Sequence, residues 1–418
     1  MTSLPPVVCH GTLACRACGG TSFSSVLDLG RTPLANSYLR AEDLARPEPR
    51  FPLEVVRCRG CTLVQLTETV PPQTLFSEYL YFSSFSSTML AHARALAASL
   101  VRERRLGAAS LVVEVASNDG YLLRGYVDAG VPVLGIEPAR NIAEVARERG
   151  IRTECAFFDR ALGEALAARG ERADVLHAHN VLAHVPDLRG FVAGIAAVLK
   201  DEGIAILEVP YLKDLLDGLS FDTIYHEHLC YFSATALHRL FREQGLSLVD
   251  VVRDPIHGGS LRLSASPAAT APAPHPRVAA LLEEEARWGV DDEAPYTAFA
   301  ARVAALRQEL PALLRSLRAQ GKSIAAYGAA AKATTLGHAC GLGADLVDFV
   351  VDRSPHKQGR FLPGSHVPIR APEALMEARP DYVLLFTWNF AAEIAAQQAD
   401  YRAQGGRFIG PGPTPHSL

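Results

Sequence analysis

Two Cys-x-x-Cys pairs near the start of the chain have the spacing of a metal site. Cys15 and Cys18 form the first pair, Cys58 and Cys61 form the second, and together they hold half of the eight cysteines. Two such pairs fill all four positions of a tetrahedral ion and leave none open for a substrate. The pattern predicts a structural Zn²⁺. The alternative is two redox or disulfide pairs, but neither pair has the flanking helix of a thioredoxin-like unit.

A tight turn between a strand-like run and a helical run, residues 114–122, has the layout of a nucleotide-binding loop. The phosphate-binding fingerprint Gly-x-Gly-x-x-Gly is absent, since Ala116 and Asn118 stand where glycines would lie. Glu114 and Asp119 flank the turn, and we interpret these acids as unfavourable to pyrophosphate. The turn instead suits a cationic cofactor, S-adenosylmethionine. An NAD site with a degenerate loop is the alternative.

Glu137 ends the next strand-like run, where a carboxylate typically hydrogen-bonds the ribose of a nucleotide. A later strand ends in His177-Ala-His-Asn180, so these side chains should reach the same edge of the sheet. The predicted cofactor-binding residues are Glu114, Ala116, Asn118, Gly120, Tyr121, Leu122, Glu137, Pro138 and Asn180.

Titratable side chains are concentrated in the segment 221–231, which contains Tyr225, His226, Glu227 and His228. A metal site is disfavoured because the helical His-Glu-x-x-His spacing is absent. A polar loop that only packs on the sheet is a second alternative. The favoured interpretation is a general base, for which histidine has the right pKa, and a neighbouring carboxylate could orient it. His184 follows another strand and should reach the same rim.

A second strand, turn and helix arrangement begins at Gly328. Backbone amides at a helix start attract phosphate, and Lys332 adds a positive charge. Arg353 ends the following strand. The site has the positive charge expected for binding a nucleotide diphosphate. A purely structural role is also compatible with the sequence.

The pattern of strand-like and helical runs around these residues predicts an α/β protein. It divides the chain into three units, at 1–75, 76–266 and 267–418. Strands at 111–115, 133–136, 175–178 and 204–209 alternate with helices, which indicates a doubly wound sheet. A hairpin at 246–252 and 260–265 should close it. After an Ala- and Pro-rich linker and two helices, strands at 323–327, 346–351, 382–386 and 407–409 predict a smaller Rossmann-like domain.

Three runs of the sequence resemble the sugar C-methyltransferases, which act on nucleotide-linked deoxysugars in branched-sugar biosynthesis. They are Glu114-Val-Ala-Ser-Asn-Asp-Gly-Tyr-Leu-Leu, Gly-Ile-Glu-Pro ending at Pro138, and Tyr225-His-Glu-His-Leu. The resemblance covers nearly the whole chain. It implies a zinc-binding module, a class I S-adenosylmethionine-dependent methyltransferase domain and a Rossmann-like C-terminal domain that anchors the nucleotide.

The resemblance also implies roles for individual residues. His228 would be the base, with Glu227, Tyr225, His184 and Tyr79 near the substrate. Tyr81 is the alternative candidate for the role assigned to Tyr79, because both lie in an aromatic segment before the first long helix. The expected substrate-binding residues are Tyr81, His226, Gly328, Lys332, Thr334 and Arg353.

These observations predict methylation at C3 of a TDP-linked 4-keto deoxysugar through an enolate. One alternative is an O- or N-methyltransferase, and another is a zinc-ribbon binding protein with an inactive methyltransferase fold. The net charge of −4 argues against a nucleic-acid partner. No apolar run is long enough to span a membrane. We expect a cytoplasmic protein, because thiolate ligands need a reducing compartment. We also expect a monomer.

Overall fold

The computed structural model of the protein describes residues 13–71, 75, 87–254, 258–412 and 415–417. Among these residues, no helix has both the length and the apolar character needed to cross a membrane.

In chain order, the strands are β1 Phe23–Pro33, β2 Arg50–Cys58, β3 Val64–Leu66, β4 Val112–Val115, β5 Val133–Ile136, β6 Thr153–Glu154, β7 Ala173–His179, β8 Leu199–Pro210, β9 Cys230–Tyr231, β10 Leu246–Asp254, β11 Ser260–Pro267, β12 Ile324–Tyr327, β13 Val350–Val351, β14 Ile369–Arg370, β15 Tyr382–Leu385, β16 Arg407–Gly410 and β17 His416–Ser417. The α-helices are α1 Ser87–Glu103, α2 Leu123–Asp128, α3 Arg140–Glu148, α4 Arg160–Ala168, α5 Leu188–Val198, α6 Leu212–Asp217, α7 Ala234–Glu243, α8 Pro276–Trp288, α9 Ala294–Ala319, α10 Ala331–Ala339, α11 Ala374–Ala378, α12 Ala391–Gln397 and α13 Ala399–Ala403. Short 3₁₀ turns include Leu182–His184, Phe221–Thr223 and Trp388–Phe390.

The central sheet has the strand order β10-β11-β8-β7-β4-β5-β6. Strands β4 to β8 pair in parallel, and the antiparallel hairpin of β10 and β11 closes one edge. All four residues of β4 are buried, as expected for a strand covered by helices on both faces. The carboxyl ends of β4, β5, β7 and β8 therefore meet at one edge, where open α/β sheets bind ligands.

The helices on this sheet begin where the sequence supplies a cap. Asp159, Asp187 and Ser233 each accept a hydrogen bond from a backbone amide in the first turn of the helix that follows. Helix α8 begins with Pro276, and Gly289 ends it at a φ of 90°, a conformation that favours glycine. These local signals explain why the sequence-based helix positions agree closely with the structure.

The two remaining sheets belong to the ends of the chain. The first has the order β1-β2-β3-β9, so that β9, from the segment 221–231, completes a sheet built by the cysteine-bearing module. The C-terminal sheet has the order β14-β13-β12-β15-β16-β17, and its first five strands are parallel. The predicted α/β class, with an N-terminal module and two α/β units, is confirmed.

One strand is much shorter than expected. The prediction at 346–351 corresponds to a strand of two residues, Val350–Val351. The carbonyl of Leu346 accepts a hydrogen bond from the side chain of Arg318 at 3.1 Å rather than from a neighbouring strand. Apolar content alone predicted the longer strand, and it carries no information about this side-chain contact.

Candidate functional site

The four cysteines of the two pairs lie together. Their Sγ atoms are all within 4.8 Å of one another, with 3.4 Å between Cys15 and Cys61 and 3.6 Å between Cys18 and Cys58. Four thiolates at about 2.3 Å from one zinc ion would be about 3.8 Å apart, so the donor set fits tetrahedral Zn²⁺. The site is closed, as a structural site should be, and the predicted ligands are the residues found there.

The turn after β4 has the backbone conformation of a ligand-binding loop. Ala116 and Asn118 have φ values of 54° and 49°, and Gly120 has a φ of 77°. A Cβ at Gly120 would lie 2.6 Å from a side-chain carbon of Ile151, so only glycine fits. Such left-handed residues cost energy and are typical of sites that hold a ligand against the backbone.

Glu137 holds this turn in place. Its Oε2 accepts a hydrogen bond from the Asn118 amide and its Oε1 one from the Ala139 amide, both at 2.9 Å. Burial raises the pKa of Glu137, and the two backbone bonds oppose that shift. Each carboxylate oxygen retains a second lone pair, so Glu137 can still accept a bond from a sugar hydroxyl.

The acidic surface expected from the turn is not present, which corrects the reason given for the cofactor. Glu114 is 1% exposed, and burial together with Glu137 and Asp119 raises its pKa well above the ordinary value. The Asp119 carboxylate pairs with Arg149 at 2.8 Å. Spacing showed acids in the turn, but it could not show that one is buried and the other is paired with an arginine.

A cavity of about 370 Å³ opens at the carboxyl ends of the central strands. Of the predicted cofactor residues, those that line it are Ala116, Asn118, Tyr121, Glu137 and Asn180. Glu114, Gly120, Leu122 and Pro138 are not among its lining residues; Leu122 is 2% exposed and belongs to the core beneath the turn. The cavity continues to His184, Tyr225 and His228, and to Lys332 and Asn389 of the C-terminal unit.

His228 has a defined hydrogen-bonding state. Its Nδ1 lies 2.9 Å from the carbonyl oxygen of Thr223 and must donate to it, which leaves Nε2 to accept from the Tyr225 hydroxyl at 3.0 Å. The rings of His184 and His228 meet edge to face at 4.9 Å. Burial, the neighbouring His184 and the charge of Lys332 lower the pKa of His228 to about 3. His228 is therefore a neutral imidazole whose Nε2 faces the Tyr225 hydroxyl.

Two predicted neighbours of His228 have other partners. The Glu227 carboxylate accepts a hydrogen bond from Asn36 at 2.6 Å, whereas the hydrogen-bond partners of the His228 ring are Tyr225 and Thr223. Burial raises the pKa of Glu227 to about 7. His226, expected to bind substrate, is 2% exposed and its Nε2 donates to the carbonyl oxygen of Pro52. Residues 225–228 form a turn, closed by a hydrogen bond from the His228 amide to the Tyr225 carbonyl at 2.9 Å, so that His226 contacts Pro52 while His228 lines the cavity.

The 221–231 segment is anchored to the cysteine-bearing module. Through β9, Cys230 pairs with Gln65 and Tyr231 with Val64. The side-chain oxygen of Gln65 accepts a hydrogen bond at 2.9 Å from the backbone amide of Arg16, which lies between two of the metal ligands. A continuous set of contacts thus links the metal site to the segment that carries His228.

The other side of the segment contacts the C-terminal unit. The indole nitrogen of Trp388 donates to Asp222 at 2.7 Å, and the Thr335 hydroxyl donates to the Ile224 carbonyl at 3.1 Å. Asp222 directly precedes Thr223, whose carbonyl fixes His228. Each of the three units therefore contributes to the position of His228.

Of the predicted substrate residues in the C-terminal unit, only Lys332 lines the cavity. Its Nζ donates to Asn389 at 2.7 Å, and burial lowers its pKa, an effect that Asp222 opposes. Gly328, with a φ of 94°, leaves room for the Thr387 side chain. Thr334 is 3% exposed and its hydroxyl donates to the carbonyl of Ala35, so it does not reach a ligand.

Arg353 points away from the cavity: its side chain is 67% exposed and lies 3.8 Å from Glu393. The expectation that it binds substrate is not supported by this position. Tyr79 and Tyr81 lie outside the described residues.

His179, which ends a parallel strand, reaches the cavity wall as the sequence pattern indicates. The sequence pattern did not identify three further residues of the wall, namely Tyr211, Tyr231 and Asn389. Asn389 follows a parallel strand, the same signal that identified Glu137 and Asn180. Tyr231 and Tyr211 gave no such signal, because a tyrosine beside a strand is ordinarily part of a core.

Comparison with known families divides the chain in the same order. Residues 15–76 match a model described as a zinc binding domain, residues 89–251 a methyltransferase domain, and residues 255–413 a C-methyltransferase C-terminal domain.

Among curated proteins, the chain is 41% identical over 404 residues to the C-methyltransferase NovU of Streptomyces niveus, covering 97% of this chain and 96% of that protein. A ubiquinone biosynthesis O-methyltransferase of Bartonella quintana is 28% identical over 22% of this chain and 38% of its own length. The magnesium protoporphyrin IX methyltransferase of Synechocystis PCC 6803, solved with bound S-adenosylmethionine, aligns at 15% identity and a TM-score of 0.33. It covers 42% of this chain and 78% of its own, and a likeness at that level carries no further argument.

Proposed function

The chain belongs to the C-methyltransferase family, and on that premise we propose that it methylates C3 of a TDP-linked 4-keto deoxysugar. That it is a methyltransferase dependent on S-adenosylmethionine and acting on a small molecule follows from the family. The identity of the sugar and the carbon that is methylated are the proposal.

One observation carries it. A single cavity joins Glu137 and Asn180, at the cofactor end, to the pair of Tyr225 and His228 and to the Lys332 ammonium. A transfer to carbon needs a base within reach of both reactants. A nucleotide-linked substrate also needs a positive group at some distance from the base. The cavity offers these three functions in one space.

We assign the removal of the C3 proton to Tyr225 and His228 acting together. The Tyr225 hydroxyl already donates to Nε2 of His228, so it can pass its proton to Nε2 as its oxygen takes the proton from C3. The electron pair of the broken C–H bond moves into the ketone as an enolate. The low pKa of His228 means that its cation is stable only beside a negative charge, and the enolate provides that charge.

The cofactor end of the cavity binds and orients. Glu137 and the turn 116–120 would hold the ribose and the amino acid part of S-adenosylmethionine, which supplies an electrophilic methyl group when bound. The left-handed residues Ala116 and Asn118 bring backbone groups to the cavity wall.

Lys332 would bind the diphosphate. Its ammonium lies 4.7 Å above the Trp388 ring and donates to Asn389, so its position is fixed before a ligand arrives. On this proposal, the unit that we place at 267–418 anchors the nucleotide, and the unit at 76–266 carries out the chemistry.

The test is an assay with S-adenosylmethionine and a panel of TDP-4-keto deoxysugars, with the product examined for a new carbon-bound methyl group at C3. In deuterated solvent without S-adenosylmethionine, the C3 hydrogen should exchange at a rate that depends on His228. An O- or N-methyltransferase would methylate a heteroatom and leave the C3 hydrogen in place. Methylation that occurs without exchange of the C3 hydrogen and without a C3-methylated product would therefore refute the proposal.

A further inference from the structure

A line of five polar side chains connects β7 and β8 to helices α1 and α2. The Tyr126 hydroxyl lies 2.8 Å from Nε2 of His177, and Nδ1 of His177 lies 2.8 Å from Nε2 of His179. Nδ1 of His179 lies 2.9 Å from Oε2 of Glu208, whose Oε1 lies 3.0 Å from Nε2 of His92. The methyl-transfer chemistry proposed above does not use this line.

The strand register brings the central members together. His179 of β7 is the direct partner of Glu208 of β8, and His177 precedes it by two residues on the same face. Tyr126 and His177 are both 0% exposed. Buried polar groups of this kind are costly unless each one has a partner, and here each has one.

The proton positions follow from the acceptor at one end. Hydrogen bonds from His179 and His92 hold the pKa of Glu208 below its usual range although burial opposes this, so both oxygens accept. Nδ1 of His179 must then donate, which leaves its Nε2 to accept from Nδ1 of His177. Nε2 of His177 accepts in turn from Tyr126. Burial keeps His177 neutral by lowering its pKa, and every donor points towards Glu208.

Glu208 also fixes the residue after His179. Its backbone carbonyl accepts a hydrogen bond from the Asn180 amide at 2.8 Å. Asn180 has a φ of 53°, a left-handed conformation that needs support from its surroundings. Both His179 and Asn180 line the cavity beside Glu137. Glu208 therefore holds two adjacent wall residues, one through its side chain and the other through its backbone.

We propose that Glu208 is a positioning residue, which fixes the His179–Asn180 wall of the cofactor end, and that Glu208, as the terminal acceptor of the line, holds His179 and His177 in the Nδ1–H tautomer. The first part rests on the proposed function, since it takes the cofactor to lie against this wall. The second part concerns the protein alone and can be tested without any ligand.

The experiment combines ¹⁵N NMR of histidine-labelled protein with calorimetry. In the wild type, His177 and His179 should both be Nδ1–H tautomers. Glu208→Gln replaces one of the two acceptor oxygens with an amide group that donates. The histidine nitrogen that faces this donor must accept, so at least one of His92, His177 and His179 must move its proton to its other ring nitrogen. The dissociation constants of S-adenosylmethionine and S-adenosylhomocysteine should rise about tenfold, the effect of about one lost hydrogen bond.

Tyr126→Phe is the matched control, because it removes one hydroxyl from the line and leaves Glu208 intact. His179 should keep its tautomer in this variant, and both dissociation constants should stay within about twofold of the wild type. An Nε2–H tautomer at His177 or His179 in the wild type would overturn the proposed line. A folded Glu208→Gln variant with unchanged dissociation constants would overturn the positioning role.

If Glu208→Gln does not fold, titration of the wild type with S-adenosylhomocysteine still decides the matter. The ring resonances of His179 should shift on binding, and unchanged resonances would contradict the assignment. A wild-type chain that binds neither ligand would count against the proposed function instead, while its nitrogen assignments would still test the line.

Discussion

The Tyr225 hydroxyl lies 3.0 Å from Nε2 of His228 and donates to it, because Nδ1 is already committed to the carbonyl of Thr223. Both side chains line the cavity, so under the proposed mechanism proton removal should depend on both of them.

His228→Asn should lower turnover by about 10²- to 10⁴-fold, the usual contribution of a general base. Tyr225→Phe should also lower turnover, since it removes the hydroxyl that passes the proton. Exchange of the C3 hydrogen with deuterated solvent, followed by NMR, should slow in parallel. Binding of S-adenosylmethionine by calorimetry serves as the control and should not change. Near-normal exchange in His228→Asn would transfer the role to His184.

Glu137→Ala should weaken S-adenosylmethionine binding by about 1.5–3 kcal/mol, the range for a hydrogen bond to a charged group. The loss has two sources, the missing contact to the ribose and the release of the Asn118 amide that Glu137 holds. Calorimetry measures the affinity, and circular dichroism checks that the fold is intact. An unchanged dissociation constant would place the ribose elsewhere.

Lys332→Ala should raise the KM for the nucleotide sugar and leave S-adenosylmethionine binding unchanged. Arg353→Ala is the matched control, because it removes a cation of the same unit that lies outside the cavity and is 67% exposed. Steady-state kinetics should separate the two variants clearly. A loss of affinity for both ligands in Lys332→Ala would instead indicate that the C-terminal unit acts only as a structural support.

Metal analysis should find one zinc per chain. Cys58→Ser or a strong chelator should lower turnover before the central sheet unfolds, because the metal-bearing module pairs with β9 next to His228. Cys155→Ser is the control, since this exposed thiol is remote from the four-cysteine cluster. Freshly purified protein without zinc, or full activity in chelator, would contradict the assignment.

The buried carboxyl of Glu227 should make stability depend on pH. Its pKa is raised to about 7 in the folded chain, so from about pH 4.5 to 7 the folded state holds a proton that the unfolded state has released. The stability that this group contributes is present at low pH and is lost as the pH rises through that window. The loss is on the order of 3 kcal/mol at about 1.4 kcal/mol per unit. Urea unfolding at pH 5 and 7.5 should show the fall, and Glu227→Gln should flatten it.

The sequence predicted the parts of the fold that depend on local pattern. Strands such as Val133–Ile136 and helices with capping residues lie within a few residues of their expected positions. The four cysteines were identified because the spacing within each pair suits a tetrahedral metal ion. The Glu137 carboxylate was identified because it ends a strand, where a nucleotide ribose is typically bound. Contacts between distant segments could not be read in this way. The pairing of Glu227 with Asn36 and the inward burial of Thr334 depend on neighbours that are remote in the sequence.

The short strand Cys230–Tyr231 has a consequence for how such enzymes can be recombined. It completes a sheet whose other three strands come from the first part of the chain, so the edge of β3 is satisfied only when that strand is present. A chimera that exchanges the N-terminal module between two relatives would have to exchange the 221–231 segment with it. The two pieces, far apart in the gene, are therefore expected to change together during evolution, since neither has its proper shape without the other.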